Sequence, residues 1–502
     1  MPQILQRLPA RSLAALLLAA TGAWVLLAAR LWRTPPIDNV EQLVWRGAVE
    51  WGYYKHPPLP TWLLAAASPA WPATPLLTYL LAAACMVVTL WLFHALLRPL
   101  LGRGDALLAV LAALCLTYAT DRLPIYNHNV VMMPFIAAVW CLLWRTTQRP
   151  SLAAWAGIGL CLGAGMLAKY QMALVALCVA LWWLRIGGWR VACHRWGLAL
   201  AAVLAALVFA PHLLWLTTHQ WAPLTYASDS SLGAHLRWSA RGPHAVLWMA
   251  DWMVNRLAPA WVLVFAAAGV LSQRPDNPER PVPPPDRWQR DFLLLAGFGP
   301  MLLTVALSMA GGIHLQMKWS TAFALWTVPA IQVLLPRRWR YGDAPLPRVV
   351  WAMAGLLQLL LLAITLHSAD KQAHHPMGKG AWRQRDFAAM AHTIDVPVDV
   401  INGPYGVAGM LARHLPGQPR VLIDGDLRRS PWLTPTDLAQ ARTISVWPTC
   451  QVPEGARPLA RGWAWWPRPA PPPVADGPQA AAEIARRAQA SHTGGTAAVH
   501  CP

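Results

Sequence analysis

Charge is what this chain has least of. Only 13% of its 502 residues are charged and 22 are acidic, against 56% hydrophobic, which excludes an ordinary soluble enzyme of this length. A glycine-rich phosphate loop on a βαβ pattern is also missing, which argues against ATP or a nucleotide-sugar as direct substrate. The net charge of +19 comes without a long basic tract or aromatic-basic repeat. Nucleic acid is therefore not an expected partner, whereas anionic membrane lipids are. Of eight cysteines, Cys85, Cys115, Cys141, Cys161, Cys178 and Cys193 fall in or beside apolar runs, where cysteine acts as a small apolar residue. Cys450 and Cys501 are compatible with a disulfide closing the tail.

What the chain does have is a series of apolar runs, near the roughly 20 residues that cross a bilayer. They are expected at 12–32, 73–97, 105–120, 130–144, 152–168, 170–184, 196–217, 257–272, 291–310, 319–335 and 349–366. The first follows Arg7 and Arg11 and is too long for a signal-peptide core, so it reads as a retained anchor. Arg98 and Arg103, Arg145 and Arg149, Arg185 to Arg195, Arg274 to Arg290, and Arg337 to Arg340 occupy alternate loops, which the positive-inside rule makes cytoplasmic. The expected fold class is an all-α polytopic membrane protein of about eleven transmembrane helices over 1–366. Its outside loops are expected at 33–72, 121–129, 218–256 and 311–318, with a small α/β domain outside at 367–502. In that domain 396–401 and 419–424 read as strands, 408–415 as a helix, and 467–478 as an extended tail. The proline-rich loop 273–291 reads as a solvated linker.

The first outside loop holds the densest chemistry. In Asp38-Asn39-Val40-Glu41 the two acids sit at i and i+3, and Trp45 at i+7, so a helix would place all three on one face. The competing reading, favoured by spacing alone, is a capping box on a helix lying in the membrane interface with Val40, Leu43, Val44 and Trp51 down. Gly52-Tyr53-Tyr54-Lys55-His56-Pro57-Pro58-Leu59 follows. Its paired prolines fix an extended backbone that can hold Lys55 and His56 near the carboxylates, or start a helix behind a snorkelling lysine. In Asn127-His128-Asn129, His128 suits sugar hydroxyls or a helix cap, and the cap fits Asn129 better. Lys169, between two apolar runs, implies function or a buried partner such as Asp121. His212 and His219 flank a helix end, where a lone histidine is more often a structural hydrogen-bonder. Trp221 could stack on a sugar. Lys318, after a loop containing His314, is a phosphate binder or a snorkelling residue.

These elements resemble, in order, the GT-C glycosyltransferases of family 39 or dolichyl-phosphate-mannose mannosyltransferase type, including bacterial aminoarabinose transferases. Members carry an acidic motif after the first helix and a Gly-Tyr-x-x-His/Lys-Pro-Pro-Leu element, matched by Asp38 and by Gly52 to Leu59. The resemblance continues through Tyr126-Asn127-His128-Asn129, Leu167-Ala168-Lys169-Tyr170, Pro211-His212-Leu213-Leu214-Trp215 and His314-Leu315-Gln316-Met317-Lys318-Trp319. Two departures weaken a metal site: Lys55 stands where many members have an acid, and Asp38-Asn39 replaces an adjacent Asp-Glu. The resemblance implies sugar transfer, usually with inversion, from a polyprenyl-phosphate donor to a hydroxyl of a glycolipid, polysaccharide or protein. The implied place is the periplasmic face of a bacterial inner membrane.

Such a reaction needs a base for the acceptor proton and positive charge for the leaving phosphate. Asp38 is the candidate base, with Glu41 orienting the acceptor or sharing a divalent cation with Asp38. Lys55, His56, Lys318 and Arg256 are candidates for the donor phosphate. Tyr53, Tyr54, Asn127, His128, Lys169, Tyr170, His212 and His314 are candidates for binding substrate. The alternative function is a polyprenyl-linked glycolipid transporter or flippase, although most runs lack the mid-span ionisable residues a transporter needs. A third class, a receptor domain on a membrane anchor, leaves eleven helices without a purpose.

Overall fold

The computed structural model describes residues 10–32, 34–70, 74–228, 236–272, 286–374, 384–449, 453 and 455–468. Cys450, Cys501, most of the 273–291 linker and the tail beyond 468 lie outside the described residues, so the expectations placed there stand as they were.

The apolar runs fold as helices. In chain order these are α1 (Ala10–Leu31), α2 (Ile37–Trp45), α3 (Leu59–Ala67), α4 (Pro75–Leu101), α5 (Arg103–Leu114), α6 (His128–Gln148), α7 (Leu152–Ala168), α8 (Met172–Arg185) and α9 (Ala192–Thr218). They continue with α10 (Ala222–Ala227), α11 (Trp238–Ala250), α12 (Ala258–Ser272), α13 (Arg287–Gly311), α14 (Ala324–Gln332) and α15 (Arg348–His374). Every expected run is matched by one of these helices. The count of eleven spans is not reached by length: among the described residues six helices are long and apolar enough to cross a membrane alone. A seventh crossing would come from Trp238–Arg256 and Ala258–Leu271, bent by 58° at their junction. The other runs fold shorter, as in α7 and α8, α5 with 12 residues and α14 with 9. Hydropathy cannot separate a full crossing from a short buried helix.

By its contacts the chain forms two compact units: Met1–Ala28, Lys55–Pro60 and Tyr79–Thr365 in one, and Ala29–Tyr54, Thr61–Thr78 and Leu366–Pro502 in the other. The first is the helical membrane body. Within it α7 and α9 approach closely because Gly159 faces the Ala201 backbone and Gly163 faces Val208, where an added Cβ would come within 2.5 Å and 2.7 Å of its neighbour. Small residues four apart permit such contacts in a bilayer, where van der Waals packing must replace the hydrophobic drive. At one end of this unit Asp105 is fully engaged. Its carboxylate accepts from the Tyr341 and Gly342 amides at 2.9 and 3.1 Å and lies 3.4 Å from the Arg340 guanidinium, both side chains being 3% exposed.

The second unit contains a five-stranded sheet of order β2-β1-β3-β5-β4, built from β1 (Val400–Gly403), β2 (Arg420–Ile423), β3 (Thr443–Pro448), β4 (Arg457–Pro458) and β5 (Trp463–Arg468). β1 is parallel to both β2 and β3, with Val400 opposite Arg420 and Thr443. A parallel pair needs a crossover, and α17 (Tyr405–His414) supplies it between β1 and β2, while α16 (Gln384–His392) precedes the sheet and α18 (Pro435–Gln440) leads into β3. The expected α/β pattern is present, but the first strand begins four residues later than 396 and the antiparallel half went unread. β5 was missed because Trp463-Ala464-Trp465-Trp466 alternates weakly and is bounded by proline.

Candidate active site

In the membrane body the ends of several helices gather basic side chains around two histidines. The His56 and His128 rings lie 4.1 Å apart between centroids, tilted by 40°. His128 opens α6, whose cap is Asn127: that side chain accepts from the amides of Asn129 and Val130 at 3.0 and 3.2 Å. The cap is therefore Asn127 and not Asn129, because only the residue before the first helical turn can reach the free amides. Asn129 does something else. Its amide oxygen accepts from Lys169 Nζ at 2.6 Å, the partner that had been expected in Asp121. Lys169 ends α7 in extended backbone, so its side chain leaves the helix where the chain turns into Tyr170. The Tyr170 hydroxyl and His212 Nε2 are 2.8 Å apart, and His212 stacks on Trp215, which stacks on His219 at 4.1 Å.

Lys55 Nζ sits 5.4 Å from the Tyr226 ring centroid, within cation–π range. Lys318 lies in the short turn Met317–Ser320, not at the start of a long helix as expected. Its loop is held by α11, where His244 Nε2 accepts from the Leu315 amide at 2.9 Å and the Trp248 indole donates to the Gln316 carbonyl at 3.1 Å. The His314 ring packs 4.4 Å from His244. Burial, then His128, Lys169, Lys55 and Lys318, hold His56 well below its ordinary ionisation range. At neutral pH it is thus a hydrogen-bonding imidazole, and the positive charge near it belongs to lysines. Arg256 is engaged elsewhere, bonded to Asp251 at 2.9 Å.

The acids belong to the other unit. α2 starts after Pro36, which makes no side-chain cap. The expected capping box is therefore absent: Asp38 is already inside the helix, and Asp38, Glu41 and Trp45 do share a face. Nor does α2 lie in the interface. Val40 and Leu43 are 2% and 8% exposed, Asn39 donates to Thr78 at 2.6 Å, and Thr61 donates to Gln42 at 2.7 Å. The apolar face expected to enter lipid is covered by α17, with Val40 and Val44 against Gly409 and Ile37 against Gly406. Ile37 keeps 40% of its surface exposed, and Trp51 stays half exposed, edge-on to Trp62 at 5.0 Å. Tyr53 is wholly buried, stacked on Trp45 at 4.6 Å, and donates to the Ala48 carbonyl at 2.6 Å; it shapes the loop. Burial raises its ionisation far above the usual tyrosine range.

Among the described residues no three histidine, cysteine, aspartate or glutamate side chains gather as metal ligands. Asp38 and Glu41 form a pair of carboxylates, the number that a magnesium ion takes from protein when waters and substrate phosphates fill its other positions.

Residues 55–215 match the family described as dolichyl-phosphate-mannose-protein mannosyltransferase. A structure of ArnT from Cupriavidus metallidurans, bound to undecaprenyl phosphate, superposes with a TM-score of 0.59 at 13% identity, covering 91% of this chain and 99% of that one. The chain has a GT-C-type fold. Two lipopolysaccharide core galacturonosyltransferases of Rhizobium johnstonii are also similar to this GT-C chain: RgtB at 28% identity over 183 residues and RgtA at 30% over 89. The matches span 35% and 17% of those relatives' lengths and 36% and 18% of this chain.

Within the GT-C body the structure brings Lys55, Lys169 and Lys318 close enough to act on both His56 and His128, with Tyr170 and His212 adjoining through Lys169. Asn127 is a helix cap, His314 is packed on His244, and Arg256 is paired with Asp251. Sequence reasoning overlooked Asn129 as a lysine partner and Trp248, and placed Tyr226 and His244 in an outside segment able to hold a site without giving either a role. An asparagine beside an already recognised histidine was the available signal for the first; the others depend on contacts from distant parts of the chain.

Proposed function

We propose that this chain is an integral membrane glycosyltransferase that moves a sugar from a polyprenyl-phosphate donor to a hydroxyl of a glycolipid, polysaccharide or protein on the outer, periplasmic face of a bacterial inner membrane. The observation that carries the reading is the gathering of Lys55, Lys169 and Lys318 around a neutral His56 at the outer helix ends. Three ammonium groups that act on one imidazole create a positive field to which a phosphate is attracted. The galacturonosyltransferase relatives and the structure of ArnT with undecaprenyl phosphate support the same class of reaction. Alternating arginine-rich loops support the orientation.

In this reading Asp38 takes the proton of the acceptor hydroxyl as its oxygen attacks the anomeric carbon, and Glu41 orients the acceptor. The bond from that carbon to the phosphate oxygen breaks, and the electron pair leaves with the polyprenyl phosphate. The lysines stabilise the charge that grows on this leaving group, and His56 and His128 offer uncharged hydrogen bonds to phosphate or sugar. A transporter of polyprenyl-linked glycolipid is the second reading, favoured by the 58° break between Trp238–Arg256 and Ala258–Leu271, since broken spans recur in transporters.

Reconstituted protein, given radiolabelled polyprenyl-phosphate sugars and envelope acceptors, tests the choice. Label reaching an acceptor with wild type and not with Asp38→Asn supports the transferase and the base. Equal transfer by both removes Asp38 from the chemistry. Movement of label across the bilayer without transfer favours the transporter.

A further inference from the structure

We propose that the C-terminal α/β domain is a positioning device for the acid helix, acting through Gly409 on α2 and through Arg429 on Tyr54. This rests on the transferase reading above and assigns the domain a part in catalysis rather than in acceptor choice alone.

Two independent contacts carry it, both inside the second compact unit. The first is helix on helix. On α2, Ile37, Val40 and Val44 occupy i, i+3 and i+7 and face α17, while Asp38, Glu41 and Trp45 occupy the neighbouring face. A Cβ on Gly409 would lie 2.5 Å from Val44 Cγ2 and 3.1 Å from Val40 Cγ1. Valine has little χ1 freedom in a helix, so neither methyl can swing aside and α2 itself must shift or turn. Gly406 is less demanding: its added Cβ would meet only the tip of Ile37, at 2.5 Å from Cδ1, which can rotate away. Gly409 therefore sets the depth and rotation of α2, and with them the direction of both carboxylates.

The second contact is at the end of the same loop. Arg429 is 8% exposed, ion-paired to Asp424 at 2.7 Å and to Asp426 at 3.5 Å, with its guanidinium 5.4 Å from the Tyr54 ring centroid. Asp424 adopts left-handed backbone, φ 53°, to reach it. A planar guanidinium held from behind by two carboxylates is a rigid platform for an aromatic ring. Tyr54 in turn meets Trp45, the last residue of α2, edge-on at 6.0 Å, and it immediately precedes Lys55 in sequence. The domain thus holds both ends of the segment that runs from Asp38 to Tyr54.

The test uses full-length protein in proteoliposomes with a polyprenyl-phosphate sugar that wild type turns over. Gly409→Ala should lower kcat at least tenfold with the donor KM within twofold, and adding Val44→Ala should restore most of kcat by removing the methyl that clashes. Arg429→Met should lower kcat in the same way, with Arg429→Lys between it and wild type. Hydrogen exchange should rise in 38–45 for Gly409→Ala. If both single variants melt lower but keep wild-type kcat, the contacts are structural packing and the proposal falls. It falls also if Val44→Ala fails to rescue. Should Gly409→Ala not insert, the kcat-to-KM split in Arg429→Met decides alone. Wild type inactive with every donor would instead sink the transferase reading and the catalytic role with it.

Discussion

Two charged clusters in the membrane body follow opposite rules. Around Asp105 one carboxylate meets Arg340 and two backbone amides, so opposite charge and hydrogen bonds offset the cost of burial. Around His56 the charged side chains that depress its ionisation, beyond burial itself, are Lys169, Lys55 and Lys318, with the neutral His128 ring beside it. A cluster that opposes itself weakens the fold unless an anion completes it, and functional sites are where such cost is tolerated. Asp105 with Arg340 therefore reads as architecture, whereas the cluster around His56 is where the proposed function puts the donor phosphate.

The comparison breaks most sharply at Asp105. Asp105→Ala leaves Arg340 buried without its carboxylate and should destabilise the protein by about 3–5 kcal/mol, seen as a lower melting temperature in detergent. Protein that does fold should keep its transfer rate. A variant with near wild-type stability would remove the contrast.

Lys169→Ala should have the reverse profile, with little loss of stability and a rise in donor KM. Loss of a charged hydrogen bond to phosphate corresponds to about 1.5–3 kcal/mol, roughly tenfold to a hundredfold in KM. Steady-state kinetics with a polyprenyl-phosphate donor checks this, and an unchanged KM would place Lys169 with the structural charges.

A smaller effect concerns pH. The folded chain holds His56 below its ordinary value of 6.5, so as pH falls through that value the unfolded chain binds the proton first and stability declines. Between about pH 7.5 and about pH 5.5 the wild type should lose more in melting temperature than His56→Gln, which cannot titrate. Parallel losses would mean that neither burial nor the lysines hold His56 neutral in the folded chain. The smallest change is expected from Arg185→Ala. Its ion pair with Asp291 is 41% and 22% exposed, and such pairs contribute under about 1 kcal/mol. Both melting and transfer should stay near wild type.

Much of this was legible in the residues. Each apolar run became a helix, and the order of motifs from Asp38 to Trp319 resembled the fold class that the structure has. Within the cluster, Lys55, His56, His128, Lys169 and Lys318 were singled out by their cost or their neighbours, since a lysine between apolar runs needs a reason. Local geometry was harder. Asn127 rather than Asn129 caps α6, and Pro36 rather than Asp38 begins α2, because a shift of one or two residues changes which side chain reaches the free amides. Partners were harder still: Lys169 chose Asn129, Arg256 chose Asp251, and neither choice has a local signal.

The sequence by itself determined that the chain crosses a membrane repeatedly, where its helices run, which end carries a mixed α/β domain, and that α2 has an apolar face beside an acidic one. It could not determine what covers that apolar face. Hydrophobic burial is not directional, so Ile37, Val40 and Val44 would be satisfied equally by lipid or by protein. Only the tertiary structure decided for protein, because two glycines far along the chain, Gly406 and Gly409, leave on α17 a surface close enough for α2 to occupy.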